Sequence, residues 1–413
     1  MSIHQPPADG RSMDGERTTV LRWFADGLLR RVLHGIEAGE LMVDLPGSGR
    51  LAFPGRRPGP HARIAIHHWR CFWRLVAGAD VGFAESYMAG EWSSADLCAL
   101  LSFASRNSAI ESSILGVRSP RLLMKLRHFL NRNTRRGSRR NIAAHYDLGN
   151  EFYAQWLDQG MTYSSALYSS PGQTLEEAQL FKLDRVIDLL AISGGERVLE
   201  IGCGWGSLAE RIIQQTACTV TGLTLSTEQL AYAQGRLLAR GLRENANLRL
   251  QDYRDVRGPF DRIVSIEMLE AVGQAYWPRF FTKLRANLRP GGVAVLQVIT
   301  IDESCFASYR RKPDFVQKYI FPGGMLPTTR IITQQIAQTG LRLVDTEFFG
   351  DSYARTLREW HRRFQKAWPV IQSMGFDMRF KRMWEYYLAY CHAGFDTGLL
   401  NVGLYKISHA SNS

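Results

Sequence analysis

A glycine-rich turn behind a short apolar segment carries the strongest chemical signal in this chain. Residues 198–201 have the composition of a buried parallel strand, and Gly202, Gly204 and Gly206 follow it at alternate positions. A glycine lets the backbone approach a ligand that a side chain would exclude. Glu200 lies near the strand end, where its carboxylate can accept hydrogen bonds from a bound amino group. The spacing G-x-G-x-G differs from the dinucleotide pattern G-x-G-x-x-G and favours S-adenosylmethionine (SAM) over NAD.

Further polar residues follow the next two predicted strands. A nucleotide-binding sheet usually offers an acid to the ribose after its second strand, but this chain offers Thr224, Ser226 and Gln229 there. Ser226 and Gln229 also fit an ordinary helix N-cap, and the two interpretations are compatible. After the third strand, Asp252 and Tyr253 present a carboxylate and a ring where an adenine would lie. A single Asp in a loop is more often a turn residue.

The elements that position these residues predict an α/β domain with a doubly wound, mostly parallel, seven-stranded sheet. From about residue 141, strand-like segments alternate with helical ones. The predicted strands are residues 197–201, 219–223, 247–251, 262–266, 293–300, 341–348 and 399–407. The predicted helices are residues 207–215, 227–240, 276–287, 330–338 and 355–370. Ligands of such sheets bind at the carboxyl ends of the strands, near the point where strand order reverses.

A smaller α+β domain is predicted ahead of this sheet. We divide the chain into a disordered N-terminus (1–19), a small N-terminal domain (20–117), a basic linker or helix (118–140) and the domain of the seven-stranded sheet (141–413). Within the small domain we predict a hairpin at residues 41–45 and 50–53, a strand at 62–67, and helices at 69–76, 82–89 and 95–105.

The net charge of +12 is concentrated in two stretches of the chain. Residues 118–140 contain nine Lys or Arg and no acid, and residues 355–382 contain eight against Glu359 and Asp377. Solvated faces, nucleic acid and an anionic membrane surface are the alternative explanations. Apolar residues interleave with the first stretch, which suits an interfacial segment and lacks the aromatic pattern of an RNA-binding sheet. We therefore expect an anionic membrane surface as a partner, and no nucleic acid.

Composition also bears on the cellular location of the protein and on whether it contains a metal site or disulfides. No run of 18 apolar residues occurs, and the polar N-terminus has no signal-peptide centre. Six scattered cysteines contain no C-x-x-C pair, so neither a metal site nor a disulfide framework is predicted. We expect a cytoplasmic protein that associates peripherally with the inner face of the membrane. A homodimer is compatible with the sequence.

Several ordered motifs make the chain similar to the cyclopropane-fatty-acyl-phospholipid synthases from about residue 80 to 408. Besides the glycine turn, they are residues 85–92 (ESYMAGEW), 145–153 (HYDLGNEFY), 161–165 (MTYSS), 222–229 (GLTLSTEQ), 251–255 (QDYRD) and 318–324 (KYIFPGG). The resemblance implies transfer of a methylene group from SAM to the cis double bond of an unsaturated phospholipid acyl chain. It also implies that residues 20–117 are a lipid-docking domain and residues 141–413 a SAM-dependent methyltransferase domain. The mycolic-acid relatives generally lack the N-terminal domain, so its presence favours a phospholipid-borne substrate.

The same resemblance implies the ligands of the site. SAM would contact Tyr163, Ser164, Gly202, Gly204 and their neighbours, residues 224–229, Asp252 and Tyr253. A bicarbonate ion beside the reacting carbons would contact Ser165, Glu270, Gln297, Ile299 and Tyr353. Cys391 occupies the active-site cysteine position of the family. Many members carry Cys in place of Ser165 and His in place of Gln297, and the usual Glu-His-Val-Gly is here Glu270-Ala271-Val272-Gly273.

The expected chemistry explains why such residues are needed. A cis alkene is a weak nucleophile, so an activated methyl group must be held against it in a site that excludes water. Methyl transfer leaves a carbocation, and ring closure requires a base, for which a bicarbonate positioned by Glu270 and Tyr353 would serve. Four aromatic residues are candidates for stabilising the cation, namely Tyr163, Trp205, Tyr253 and Tyr353. A thiolate has no obvious step, so Cys391 is easier to understand as a lining residue.

Two alternatives remain open at this level. If the cation loses a different proton, the product is a methyl-branched or methylene fatty acid instead of a cyclopropane. A nucleic-acid methyltransferase would suit the positive charge, but it predicts base-reading motifs such as Asn-Pro-Pro-Tyr, and the sequence contains none.

Overall fold

The computed structural model describes residues 35–107 except 48, residues 148–409, and residues 27 and 29 individually. The chain divides into two compact units, residues 1–119 and 120–413. The predicted disordered N-terminus (1–19) and the basic stretch 118–140 lie outside the described residues, so those predictions stay open.

In residues 35–107 of the first unit, a small sheet is combined with two helices. Its elements are β1 (Ala38–Asp44), β2 (Arg50–Pro54), β3 (Arg57–Ile66), α1 (Arg70–Met88), β4 (Trp92–Ser93) and α2 (Leu97–Arg106). The strand order is β2-β1-β3-β4, with β1 antiparallel to β2 and parallel to β3. The predicted hairpin is therefore present. The two helices predicted at residues 69–76 and 82–89 form one element, interrupted at Ala79 by a non-helical backbone.

The motif at residues 85–92 stabilises the fold of this first unit. Trp92 is buried, its ring stacks on Phe83 at 4.4 Å, and its indole N–H donates to Ser86 Oγ at 2.8 Å. The buried Glu91 carboxylate pairs with Arg74 at 3.1 Å. A buried indole and a buried acid both have partners here, so these residues serve packing.

The second unit is an α/β domain around a seven-stranded sheet. Its strands are β5 (Arg197–Ile201), β6 (Thr219–Thr224), β7 (Ala246–Leu250), β8 (Phe260–Ile266), β9 (Leu288–Ile301), β10 (Leu341–Phe348) and β11 (Leu400–His409). Its α-helices are α3 (Asn150–Ala154), α4 (Leu175–Leu190), α5 (Ser207–Thr216), α6 (Thr227–Ala239), α7 (Leu269–Val272), α8 (Trp277–Asn287), α9 (Glu303–Tyr309), α10 (Phe315–Tyr319), α11 (Thr329–Gln338), α12 (Gly350–Ser373) and α13 (Met378–Asp396). The predicted fold class is confirmed.

The strand order places the site. The order is β10-β11-β9-β8-β5-β6-β7, and every neighbouring pair is parallel except the two that involve β11. The chain leaves β5 toward β6 and β7 on one side, then returns to β8 and β9 on the other. Strand order therefore reverses between β5 and β8, where a ligand crevice is expected.

Two long helices of this unit, α4 and α13, were not predicted from the sequence. Helix α4 begins with a capping box, in which Thr174 and Glu177 satisfy each other's backbone N–H groups. That motif is visible in the sequence and would have located the helix. Helix α13 has a long apolar and aromatic run without a clear polar face, so periodicity gave little signal. None of the described helices has the length and apolar content needed to cross a bilayer.

Candidate active site

The glycine turn after β5 is held by hydrogen bonds to its neighbours and has open space beside Gly204. The N–H groups of Gly202 and Cys203 both donate to the Leu223 carbonyl at 2.9 Å, which ties the turn to the end of β6. Gly206 has φ of 84°, and a Cβ built on it would lie 2.9 Å from the Ala233 Cβ of α6. At Gly204, where φ is 50°, a Cβ would meet nothing within 4 Å. The turn is thus tight on one side and open on the other.

Glu200 carries a buried carboxylate beside this turn that is not fully hydrogen-bonded. The residue is 3% exposed, and its Oε2 atom is buried without a hydrogen-bond partner. Burial raises the pKa of Glu200 to about 8, although Lys182 opposes the shift. Buried polar atoms in folded proteins normally have partners, so Oε2 marks a place where a ligand donor fits.

Helix α4 positions the segment that contains Tyr163, Ser164 and Ser165. Lys182 is fully buried and donates from Nζ to Ser164 Oγ at 2.8 Å. Gln179 donates from Nε2 to the Ser164 carbonyl at 2.8 Å. Burial lowers the pKa of Lys182 to about 8, while the charges of Glu267, Asp158 and Glu200 raise it. The sequence interpretation missed Lys182, although a lysine on the apolar face of a helix was a visible signal.

The predicted aromatic residues Tyr163 and Trp205 lie in one cluster. Both rings pack against Tyr153, with centroid distances of 5.4 and 5.1 Å. The Tyr163 hydroxyl shares a hydrogen bond with the Tyr387 hydroxyl at 2.9 Å. The Trp205 indole donates to Asn150 Oδ1 at 2.7 Å. This cluster brings aromatic faces next to the glycine turn, as expected for stabilising a positive charge.

The polar residues after β6 satisfy one another. Ser226 caps helix α6 by accepting from the Gln229 N–H, and the Thr224 hydroxyl donates to Gln229 Oε1 at 3.0 Å. All three side chains are buried. The helix-cap interpretation is therefore confirmed, and a role in SAM binding remains a prediction.

The two residues predicted to contact SAM after β7, Asp252 and Tyr253, differ in their hydrogen bonding. The Asp252 carboxylate accepts from Arg254 Nε at 2.8 Å and caps a short 3-10 turn. The Tyr253 ring packs on Phe280 at 5.4 Å, and its buried hydroxyl has no hydrogen-bond partner. Burial raises the pKa of Tyr253 to about 12. A role of Asp252 and Tyr253 in SAM binding remains a prediction.

A second set of residues surrounds Glu267, which directly follows β8. Its Oε1 atom accepts from the Ser165 N–H at 2.8 Å and from Gln297 Nε2 at 2.7 Å. Its Oε2 atom accepts from the Tyr353 hydroxyl at 2.6 Å. Burial raises the pKa of Glu267, and the hydrogen bonds from Tyr353, Ser165 and Gln297 oppose that rise, as does the charge of Lys182.

Glu270 lies beside it on α7 and has fewer partners. Its Oε1 atom accepts from the Ile299 N–H at 2.6 Å, while Oε2 is buried without a partner. Burial, followed by the charge of Glu267, raises the pKa of Glu270 to about 8. Three donors stabilise the Glu267 carboxylate and one stabilises Glu270, so Glu267 is the first of the pair to ionise.

The five residues expected to bind bicarbonate are brought together, but the N–H and O–H donors of this set have partners within the chain. Ser165, Gln297 and Tyr353 all donate to Glu267, and Ile299 donates to Glu270. The donor set suits a planar anion with two oxygens, and the Glu267 side chain already supplies one. The residues therefore do not fit a separate bicarbonate ion while Glu267 is present. The sequence interpretation missed Glu267, whose signal was an acid placed directly at the end of a buried strand.

Comparison with known proteins identifies the second unit. Residues 133–404 match the mycolic acid cyclopropane synthetase family. The chain belongs to this family. It is 42% identical over 332 residues to the tuberculostearic acid methyltransferase UfaA1 of Mycobacterium tuberculosis, covering 78% of this chain and 77% of that protein. It is 35% identical over 345 residues to the cyclopropane-fatty-acyl-phospholipid synthase of Escherichia coli, covering 84% and 86%.

Solved structures of the synthetase family agree with the fold. The cyclopropane synthase MmaA2 from Mycobacterium tuberculosis is 31% identical with a TM-score of 0.62, covering 65% of this chain and 97% of that one. The mycolic acid cyclopropane synthase CmaA1, solved with SAH and CTAB, is 28% identical with a TM-score of 0.61 and the same coverage. Those mycolic-acid enzymes thus correspond to about two thirds of this chain. The resemblance derived from the motifs is confirmed.

Cys391, at the cysteine position of the family, is a poor candidate for a nucleophile here. It lies on α13 and is partly exposed. Burial, together with the charges of Asp314 and Glu267, raises the pKa of the Cys391 thiol well above its usual range. A raised pKa favours the thiol over the more nucleophilic thiolate, and the lining role of Cys391 remains a prediction.

Proposed function

We propose that this synthetase-family protein transfers the methyl group of SAM to the cis double bond of an unsaturated acyl chain in a membrane phospholipid. The observation that carries the proposal is the pairing of two features on neighbouring strands. Glu200, whose Oε2 atom has no hydrogen-bond partner, lies near the end of β5 beside the glycine turn, and the carboxyl groups of Glu267 and Glu270 follow the neighbouring strand β8. Relatives named for fatty-acyl-phospholipid cyclopropanation and for fatty-acid methyl transfer support the substrate class.

The residues after β5 fit SAM as the group donor. When bound, SAM supplies a methyl group made electrophilic by its sulfonium. Glu200 Oε2 is the unpartnered acceptor for a hydroxyl or amino donor, and the open side of Gly204 admits close approach to the backbone. The rings of Tyr163 and Trp205 provide aromatic faces for a cation.

The residues around β8 fit the remaining steps on the lipid. Glu267, Glu270, Ile299 and Cys391 are each partly exposed, and we infer that an acyl chain binds against this accessible surface. A bound acyl chain would exclude water from a lipid carbocation. A carboxylate at its edge stabilises the cation and accepts the proton that it must lose.

Two products follow from the same cation. Loss of a proton from the transferred methyl group, followed by ring closure, gives a cyclopropane, and the Escherichia coli relative supports this product because the match includes most of both chains. Loss of a proton elsewhere gives a methyl-branched chain, and the higher identity to the tuberculostearic acid methyltransferase supports that second candidate.

The product can be determined with labelled SAM. The purified protein is incubated with trideuteromethyl SAM and vesicles of vaccenoyl or oleoyl phospholipid, and vesicles of saturated phospholipid are the control. A cyclopropane retains two of the three deuteriums and resists mild hydrogenation. A methyl-branched alkene that keeps its whole methyl group retains three and takes up hydrogen. Binding of SAM without any change of the acyl chains would contradict the proposal.

We further propose that residues 118–140 attach the protein to the inner, anionic face of the membrane. The second basic stretch is less available, because Arg363 pairs with Glu176 and Glu359 at 2.7 Å and the Arg355 guanidinium lies 3.8 Å from the centre of the Tyr168 ring. We therefore expect reversal to Glu at Arg135, Arg136, Arg139 and Arg140 to weaken binding to anionic vesicles. The matched control reverses Lys366 and Arg379 of the second stretch. Unchanged vesicle binding by the first variant would favour a solvated linker.

A further inference from the structure

We propose that the carboxylate of Glu267 takes the place of the bicarbonate ion implied by the family resemblance, and that it is the base that removes a proton from the lipid cation. The inference deepens the function proposed above and rests on it. It concerns a residue to which the sequence interpretation gave no role.

The first support is the set of hydrogen bonds. Ser165, Gln297 and Tyr353 come from distant parts of the chain, and their donors converge on one side chain at 2.8, 2.7 and 2.6 Å. A carboxylate and a bicarbonate ion both present two oxygens in one plane, so the same donors can bind either of them. With Glu267 in place, these donors are already used.

The second support is the backbone of Glu267. Its φ is 47°, and it is one of five non-glycine residues with positive φ in the described part of the chain. This conformation costs about 1–3 kcal/mol for a residue with a side chain, and such strain is concentrated at functional sites. The Glu267 N–H holds the strained turn by donating to the Gln297 carbonyl at 2.8 Å. Glycine would adopt the same backbone without strain and would leave the three donors without their carboxylate.

The third support is the charge around the site. The buried Lys182 and the Tyr353 hydroxyl both favour the ionised form of Glu267. Its neighbour Glu270 is the harder carboxyl to ionise, since Glu267 itself opposes a second negative charge there. One negative charge in this pair is sufficient for a base.

The step balances without a further reactant. The alkene electron pair forms the bond to the transferred methyl carbon, and the bond from that carbon to sulfur breaks with its electrons left on sulfur. Glu267 then takes a proton from the new methyl group, and the electrons of that C–H bond close the ring. In the methyl-branched case, the proton comes from a neighbouring chain carbon and those electrons form a double bond. In both cases the proton remains on Glu267 until it is released to solvent.

The experiment compares three proteins with and without bicarbonate. The wild type, Glu267→Gly and Glu267→Gln are assayed with SAM and unsaturated phospholipid vesicles in carbon-dioxide-free buffer, then with added bicarbonate or formate. Binding of ¹³C-bicarbonate is followed by NMR line broadening, and thermal unfolding confirms that each variant is folded.

We expect wild-type turnover to change by less than about twofold on adding bicarbonate, and both variants to lose about 10²–10⁴-fold in its absence. Bicarbonate or formate should restore part of the activity of Glu267→Gly, because the anion enters the vacated place. Glu267→Gln should not recover, because its amide still fills that place. Only Glu267→Gly should broaden the ¹³C signal.

Three results would overturn the inference: stimulation of the wild type by bicarbonate, equal bicarbonate binding by the wild type and Glu267→Gly, or retained turnover in Glu267→Gln. If the wild type modifies no acyl chain in any buffer, the proposed function fails. The ¹³C comparison then decides by itself whether Glu267 occupies the anion site.

Discussion

Two carboxylates lie at the ends of the neighbouring strands β5 and β8, and their surroundings differ. Glu200, on β5, has a buried oxygen with no partner. Glu267, after β8, receives hydrogen bonds from Ser165, Gln297 and Tyr353. Both are buried acids with raised pKa values, so burial alone does not distinguish them. The difference is that the chain satisfies one carboxylate by itself and leaves the other for a ligand.

This contrast separates the two regions by function. A buried polar atom without a partner destabilises the protein unless a ligand binds it. A buried carboxylate with three donors is held in place before any ligand arrives, which is how a catalytic group is preorganised. Lys182 connects the regions, since the charges of both Glu267 and Glu200 raise its pKa.

The largest effect is expected at Gly206, where the turn after β5 has no room for a side chain. Gly206→Ala places a Cβ 2.9 Å from the Ala233 Cβ and forces φ of 84° on a non-glycine residue. Strain and overpacking should lower the free energy of unfolding by about 2–5 kcal/mol and weaken SAM binding by more than about 100-fold. Calorimetric titration with SAM and thermal unfolding measure the two effects.

Gly235→Ala is the matched control for this prediction. Gly235 lies on the same helix as Ala233, and a Cβ there would meet nothing within 4 Å. Because alanine favours a helix over glycine, we expect unchanged SAM binding and a gain of about 0.5–1 kcal/mol in stability. Equal effects of the two substitutions would show that the turn is not a special feature of the site.

The contrast between the two regions also explains what sequence alone predicted. The seven strands and the glycine turn were located because buried parallel strands are short apolar runs bounded by glycine or polar turns. The satisfied carboxylate was not found, since Ser165 and Glu267 are 102 residues apart and meet only in the folded sheet. Ser226 illustrates the intermediate case, because its helix cap uses residues close in sequence and was predicted correctly. Local hydrogen bonds can be read from sequence, whereas the donors around Glu267 are a product of tertiary structure.

Glu200→Gln should weaken SAM binding by about tenfold, because an amide NH2 group in place of the unpartnered oxygen cannot accept a hydrogen bond. The charge is not what this oxygen contributes below about pH 8, since the folded-state pKa of Glu200 is raised from 4.5 to about 8. For the same reason Glu200→Gln should raise thermal stability at pH 8 and leave it nearly unchanged below pH 4.5. Between these values the folded protein retains a proton that the unfolded chain has lost, so wild-type stability falls as pH rises. Lys182, whose pKa is lowered to about 8 from 10.5, acts above this window.

Melting temperatures of the wild type and Glu200→Gln, measured from pH 4 to pH 9, test whether wild-type stability falls as the pH rises. A stability difference that shrinks toward pH 8 would mean that Glu200 is ionised and paired in the folded state. Unchanged SAM affinity would remove Glu200 from the cofactor site.

Tyr353→Phe tests whether Glu267 is the group whose ionisation controls turnover. The variant removes the 2.6 Å hydrogen bond to Glu267, which normally lowers the pKa of that carboxyl. The pKa of Glu267 should therefore rise, and the acidic limb of the turnover profile should move to higher pH, with a loss of about tenfold at neutral pH. Tyr387→Phe is the control, because the Tyr387 hydroxyl bonds to Tyr163 and leaves Glu267 untouched. A limb that does not move in Tyr353→Phe would assign the titration to another group.

The smallest effect is expected at Cys391, on the wall of the β8 region. A nucleophilic cysteine must ionise, and burial together with Asp314 and Glu267 opposes ionisation of this thiol. Cys391→Ser should therefore retain turnover within about threefold, with an unchanged pH profile, because the hydroxyl fills nearly the same space. Cys305→Ser, at the other partly exposed cysteine, is the matched control. A loss of more than about 100-fold in Cys391→Ser alone would make the thiol part of the chemistry. Retained turnover would instead leave Glu267 as the group that takes the proton.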